Sequence, residues 1–278
     1  MTGRWILTAG MALWLAPSVL AQNGAWRFHW QPGQVMNYRV QQATAIAEVI
    51  DGQQTETRSK LDNTKKWQVL DVDAAGVATL RLSITSLRLE MKPPSGEAMI
   101  FDSANLEASN AAMRSQMEKY LGQPLALIRV DPRGKVVEVK ECKFGPASRF
   151  ESEPPFVIQL PEGDAASTWE RTYKMTLEPP QGTGEKYDAA QKYECRGVKD
   201  RTAVIALSTI QKTQPEAAAD QTPLFQMQPE GEVIFDFKSG RLQSARLHVD
   251  KQLKNHQGEG SSYHFQSSYS EQLLEESH

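Results

Sequence analysis

The chain has 278 residues, with 31 lysines and arginines against 34 acids, a formal charge of −3 and 40% hydrophobic residues. Cations scattered among acids at near-neutral charge exclude the concentrated basic patch of a nucleic-acid or anionic-membrane binder. The length suits one large or two modest domains, and the apolar fraction is ample for a core.

Arg4 precedes an apolar run over 5–15, Pro17 breaks it, and the small residues Val19 and Ala21 stand before a cleavage point ahead of Gln22. This is the pattern of a secretory signal peptide over residues 1–21. The run is too short for a bilayer span, which needs roughly 20 apolar residues. The expectation is therefore an exported chain, periplasmic or secreted, without a transmembrane anchor.

Trp26, Phe28 and Trp30 share one parity and read as a short strand ended by Pro32-Gly33. In 38–50, Tyr38, Val40, Ile46 and Ile50 again share one side, and Asp51-Gly52 signals a tight hairpin because both residues tolerate positive φ. The returning strand, 55–72, is charged at first and apolar only near Trp67 and Val69, and 74–76 makes the next turn. Ala78 to Ile84 and Leu87 to Met91 have opposite parities, which a β-bulge near Thr85 reconciles. Residues 103–121 read as one helix: Leu106, Met113, Met117, Tyr120 and Leu121 form its stripe, Ser103 or Asn105 its cap and Gly122 its stop.

The stretch 127–139 is two apolar strands hinged on Asp131-Pro132-Arg133-Gly134, where proline presets φ and aspartate accepts backbone N–H bonds. A similar piece returns at 233–249, with Lys238-Ser239-Gly240 as a turn that reads as lacking the acid. Between them, 144–161 carries Gly145-Pro146, Pro154-Pro155 and the apolar run 156–160, which predicts a connection that docks on the body. The fold expectation is α+β, mainly antiparallel β-sheet in two related halves, 22–150 and 151–278, with one helix packed on the first.

Trp30, Pro32, Gly33 and Tyr38, then Phe101-Asp102-Ser103, Leu121 to Val136, Leu160-Pro161 with Trp169, and Gly231 to Asp236 together resemble an uncharacterised family of exported bacterial proteins of planctomycete type. The resemblance spans nearly the whole mature chain. It implies export and this architecture, and it brings no catalytic residues or cofactor.

Several chemistries lack their residues. Neither a G-x-S-x-G elbow nor a glycine-rich phosphate loop occurs, and Asp71 and Asp73 before Gly76 fail as a calcium loop because Leu82 stands where a bidentate glutamate is needed. His248 and His264, flanking His256 in a hairpin turning at 255–260, would face one another if the register centred there, but a metal needs a third ligand, so solvent-facing histidines are the default. Cys142 and Cys195 read equally as a disulfide tying the halves and as two free thiols.

The leading expectation is a non-catalytic binding or scaffold protein without a cofactor, its partner an apolar ligand or a protein. Trp67, Trp169, Tyr173, Phe237, Tyr263, Phe265 and Tyr269 form aromatic faces that either close a core or line an apolar groove on a curved sheet. The alternative is a carboxylate-dependent extracytoplasmic hydrolase, with Glu90, Asp102, Glu232 and Asp236 as its candidate acids.

Overall fold

Period-2 alternation interrupted by turn residues builds twelve strands, seen here in a computed structural model that describes residues 26–163 and 166–275. The segment 1–21 and His278 lie outside the described residues. The strands are β1 (Val35–Ile50), β2 (Gln53–Val72), β3 (Ala78–Lys92), β4 (Met99–Asp102), β5 (Pro124–Val130), β6 (Val136–Cys142), β7 (Thr168–Leu177), β8 (Glu185–Lys199), β9 (Thr202–Gln211), β10 (Glu230–Asp236), β11 (Arg241–Lys254) and β12 (Ser262–Leu273). Two short α-helices, α1 (Ala111–Met117) and α2 (Arg149–Ser152), complete the α+β fold.

The strands form one sheet in the order β6-β5-β3-β2-β1-β12-β11-β10-β9-β8-β7, with β4 added beside β3. Every strand pairing is antiparallel and joins strands adjacent in sequence, except that β3 pairs β5 across the short β4 and that β1 meets β12. The long-range pairing is β1 with β12, from Tyr38↔Leu273 to Val49↔Ser262, which joins the first and last strands in one sheet.

Local turn chemistry is where the sequence placed it. Asp51 and Gly52 both have positive φ in the β1–β2 turn. Ser86 pairs with Thr64 and Ile84 with Lys65, so Thr85 is the extra residue of a bulge that switches the parity of β3. Asp73 is a turn former, its Oδ1 accepting from the N–H groups of Ala75 and Val77 at 2.9 and 3.0 Å.

Two local expectations are corrected. The helix expected over 103–121 is only α1 flanked by 3₁₀ turns, Leu106–Ala108 and Glu118–Tyr120. Ser109 breaks it by holding the backbone of Asp102 and Asn105 with its hydroxyl, and Asn110 starts the α-helix afresh by accepting from Ala112 and Met113. The 26–30 segment lies outside the sheet. It is an extended clamp: Phe28 N–H donates to Pro132 O at 2.6 Å in the β5–β6 turn, and His29 N–H donates to Gly240 O at 3.1 Å in the β10–β11 turn.

The two similar hairpin turns, far apart in sequence and in strand order, therefore meet at one end of the molecule. Close approach explains their glycines. A Cβ on Gly134 would lie 2.7 Å from the Phe28 ring, and one on Gly240 would lie 2.5 Å from the His29 backbone nitrogen. The second turn also has its acid after all: Asp236 Oδ1 accepts from Lys238 and Ser239 N–H at 2.8 and 3.2 Å. The short α2 touches both edge strands, β6 and β7.

Candidate functional site

The curled sheet has an inner and an outer face, and they differ in kind. The inner face gathers buried side chains from eight strands around the clamp residues Trp26, Phe28 and Trp30. The segment 143–163 crosses this face as a strap, and its Phe156, Ile158 and Leu160 are buried at 0%, 0% and 1% exposure.

Phe156 is boxed by aromatic rings. Its centroid lies 5.3 Å from Phe28, 5.4 Å from Trp30, 5.9 Å from Tyr38 and 5.4 Å from Trp67. The strap reaches this place by a β-turn, with Val157 N–H donating to Pro154 O at 2.9 Å, followed at once by a γ-turn in which Ile158 N–H donates to Phe156 O at 2.7 Å. Val157 at the centre of the second turn has φ +66°, the strained form of γ-turn and an unusual place for a β-branched residue.

The aromatic residues singled out in the sequence are distributed over three clusters. Trp67 and Phe237 are buried in the main core, where Trp169 packs on it and donates its indole N–H to Gln159 O at 2.7 Å. Tyr173 belongs to a second cluster with Met175, Leu177 and Leu224, and its ring lies under the Arg171 guanidinium at 4.2 Å. Tyr263 and Phe265 belong to a third, with Phe225 and Val249. The inner face is thus packed by the chain's own side chains: the strap covers its middle, and the 3₁₀ segment Ala219–Met227 contacts β7, β11 and β12 toward the far ends.

A polar belt borders the box. Glu271, 1% exposed, accepts from the Tyr269 hydroxyl and lies 3.5 Å from Lys65 Nζ, which also reaches Tyr269 Oη at 3.2 Å. Burial, then the Glu271 charge, raises the Tyr269 pKa well above the usual phenol range. Tyr38, also raised by burial, donates to Leu242 O at 3.1 Å. Beside them the buried Trp67 Nε1 and Asn63 Oδ1 have no hydrogen-bond partner. The sequence offered no signal for this belt, because Lys65 and Glu271 come together only through their positions either side of β1.

The outer face carries two open recesses, of about 700 and about 950 Å³. Their floors are small residues, Ala43, Ser268 and Ser270 in one and Ala206, Ser208 and Gly231 in the other. Arg246 and His248 line both. Part of the surrounding charge is paired within the chain, as in Arg39–Asp62 at 2.7 Å and Arg88–Glu90 at 2.5 Å, and His248 lies 3.1 Å from Glu230.

The acids considered for hydrolysis do not converge. Glu90 and Asp102 both hold Arg88, at 2.5 and 2.6 Å. Asp236 serves its turn and pairs with Arg201 at 3.3 Å. Glu232 on β10 stands five strands from Glu90 on β3, about 24 Å along the sheet at ~4.8 Å per strand. The histidines are likewise separate: His248 pairs with Ser268 and His264 with Gln252, so the two do not face each other. His264 bonds Asp250 at 2.7 Å, while His256, on the hairpin turn, is the buried one and bonds Glu48 at 2.8 Å. Cys142 and Cys195 are both free thiols, and burial pushes the Cys195 thiol up. Among the described residues no cluster of three metal-ligating side chains occurs, and no helix is long and apolar enough to cross a membrane.

The sequence matches no family model and none of the curated proteins. Among solved structures, it is similar to a chain described as showing lipid–protein interactions in lipovitellin, with 13% identity over 88% of this chain and a TM-score of 0.46. The chain spans 25% of that lipovitellin chain. It is also similar to DynF of the dynemicin biosynthesis pathway of Micromonospora chersina (8% identity, 99% of this chain, 94% of that chain, TM-score 0.23). A DUF1329 family protein of Desulfovibrio piger gives 10% identity, 88% of each chain and a TM-score of 0.15.

Proposed function

We propose that the protein is an exported, non-catalytic binding protein that takes an apolar ligand on the inner face of its curled sheet, in the place Phe156 fills. The observation that carries this reading is the strap itself. A ring is inserted into a box of four aromatic side chains by a segment strained at Val157, and backbone strain of this kind persists where a segment is held in place for a function. The leader pattern over 1–21 and the resemblance to exported bacterial proteins support export. Chemistry is a weaker reading, since the candidate acids are spread over the outer face and a base turn.

The test is native mass spectrometry of the protein recovered from its host, with titration of an environment-sensitive apolar dye into wild type and Phe156→Leu. Co-purified apolar mass or dye binding that strengthens in the variant supports the reading. A clean apoprotein mass together with no dye binding by either folded form would sink it. Amino-terminal sequencing that starts at Gln22 supports export, and a retained leader on protein recovered from the periplasm or medium counts against it.

A further inference from the structure

We infer that the occupant for which the Phe156 box is built is a planar, neutral, apolar compound bearing an acceptor oxygen, a ketone or a hydroxyl, that accepts from the indole N–H of Trp67. The inference rests on the apolar-ligand reading and adds the chemical class of the ligand.

The polar inventory of the box sets that class. Phe156 fills the space between Phe28, Trp30, Tyr38 and Trp67 with a flat ring, but a phenyl ring offers the indoles no oxygen. Trp67 is 2% exposed and its Nε1 has no acceptor. Trp30 Nε1 reaches only Asp131 O, at 3.5 Å, the outer limit of a hydrogen bond. An indole N–H is a donor only, so an unpaired one asks for an acceptor and gains nothing from a second donor. The Tyr38 hydroxyl is already committed to Leu242 O. The Tyr38 oxygen keeps its lone pairs, so a ligand hydroxyl that accepts from Trp67 and donates to Tyr38 suits the walls as a carbonyl does, whereas an ammonium or amide N–H offers the indole nothing to bond. A carboxylate would need a cation, and the nearest along β2, Lys65, is engaged by Tyr269 and Glu271. What remains is a flat apolar group with acceptor oxygen and no charge.

The strap is built to yield the place. The backbone N–H groups of Glu153, Val157 and Ile158 bond to Arg149, Pro154 and Phe156, all within α2 and the strap. The anchors to the body flank this turn: Arg171 donates to Ser152 O before it, and after it Trp169 Nε1 donates to Gln159 O at 2.7 Å and Leu160 N–H to Arg133 O at 2.8 Å. Phe156 can leave the box by relaxation of the Val157 turn without breaking a bond of the sheet.

The experiment compares 2-acetylnaphthalene with its hydrocarbon isostere 2-isopropenylnaphthalene, which replaces C=O by C=CH₂. Binding of each to the full chain carrying Phe156→Ala is measured by equilibrium dialysis. Phe156→Leu serves in the same way if the alanine variant loses its near-ultraviolet circular dichroism. The ketone is expected to bind about tenfold more tightly than the hydrocarbon, the worth of one hydrogen bond to a buried donor. Adding Trp67→Phe should bring the two affinities within about twofold of each other. Equal affinities before Trp67 is changed, or a preference that survives Trp67→Phe, overturn the inference and leave apolar binding standing. Failure of both compounds to bind either folded variant overturns both.

Discussion

The inner and outer faces of the sheet are made by the same strands with the same alternation, yet they carry very different energetic weight. On β2, Trp67, Lys65 and Asn63 point inward, each at least partly withdrawn from water, while Lys66, Asp62 and Lys60 point outward among ion pairs that water screens. Alternation decides only which residues share a face. Which face becomes a core depends on what covers it, and here the cover is the chain's own strap and amino-terminal clamp.

This contrast can be broken by substitution. The largest effect is expected from Phe156→Ala, which removes a fully buried ring from the box and should lower stability by about 3–5 kcal/mol in urea unfolding. A loss below about 1 kcal/mol would mean that the strap does not belong to the core. Gly134→Ala comes next. Its φ of +85° and a Cβ placed 2.7 Å from the Phe28 ring and 3.0 Å from Ile158 O should together cost about 2–4 kcal/mol. Gly33→Ala is the control, because φ is +82° but nothing lies within 4 Å, so only the backbone cost of about 1 kcal/mol applies.

Lys65→Met leaves the Glu271 carboxylate buried beside Tyr269 without its cation. An expected loss of about 2–3 kcal/mol, below that of a wholly buried pair because Lys65 is partly exposed, should be largely recovered in the Lys65→Met, Glu271→Leu double variant. Val157→Gly should do the reverse of a normal core truncation. Glycine accepts φ +66° freely, so thermal unfolding should show stability unchanged or raised by about 1 kcal/mol.

The smallest effect belongs to the outer face. Arg39, through its hydrogen bond and charge, holds the Asp62 carboxyl below the usual range. A depressed folded-state pKa contributes stability that is complete above the unfolded value, about 3.9, and is lost as pH falls through the folded value. Asp62→Asn should therefore cost less than about 1 kcal/mol at pH 7, with the difference from wild type shrinking as pH falls through the folded-state value. A cost as large as that of Phe156→Ala would erase the distinction between the faces.

Much of the local structure was legible before any fold was known. Asp51-Gly52 signals its turn because few residues tolerate positive φ, and the bulge at Thr85 is visible as a parity switch. The docking of 156–160 follows from an apolar run held between prolines. The candidate site was legible only in part: Trp67 and Phe237 announce a buried face, but nothing local shows that Phe156 sits among Phe28, Trp30, Tyr38 and Trp67. Asp236 was missed as a turn former because its N–H partners lie at Lys238 and Ser239, beyond the strand it ends. His256 looked like a turn residue because its partner, Glu48, lies at the far end of β1.

By itself, the sequence determined the antiparallel class, the places of the hairpin turns and which side chains share each face. These follow from steric limits on φ and from a side-chain period of two, both of which act within a few residues. The tertiary structure alone decided that β1 pairs with β12, that the turns at Gly134 and Gly240 meet on one clamp, and that the aromatic face is filled by Phe156. Those outcomes depend on which distant surfaces exclude water together, and such pairings leave no mark in the local pattern.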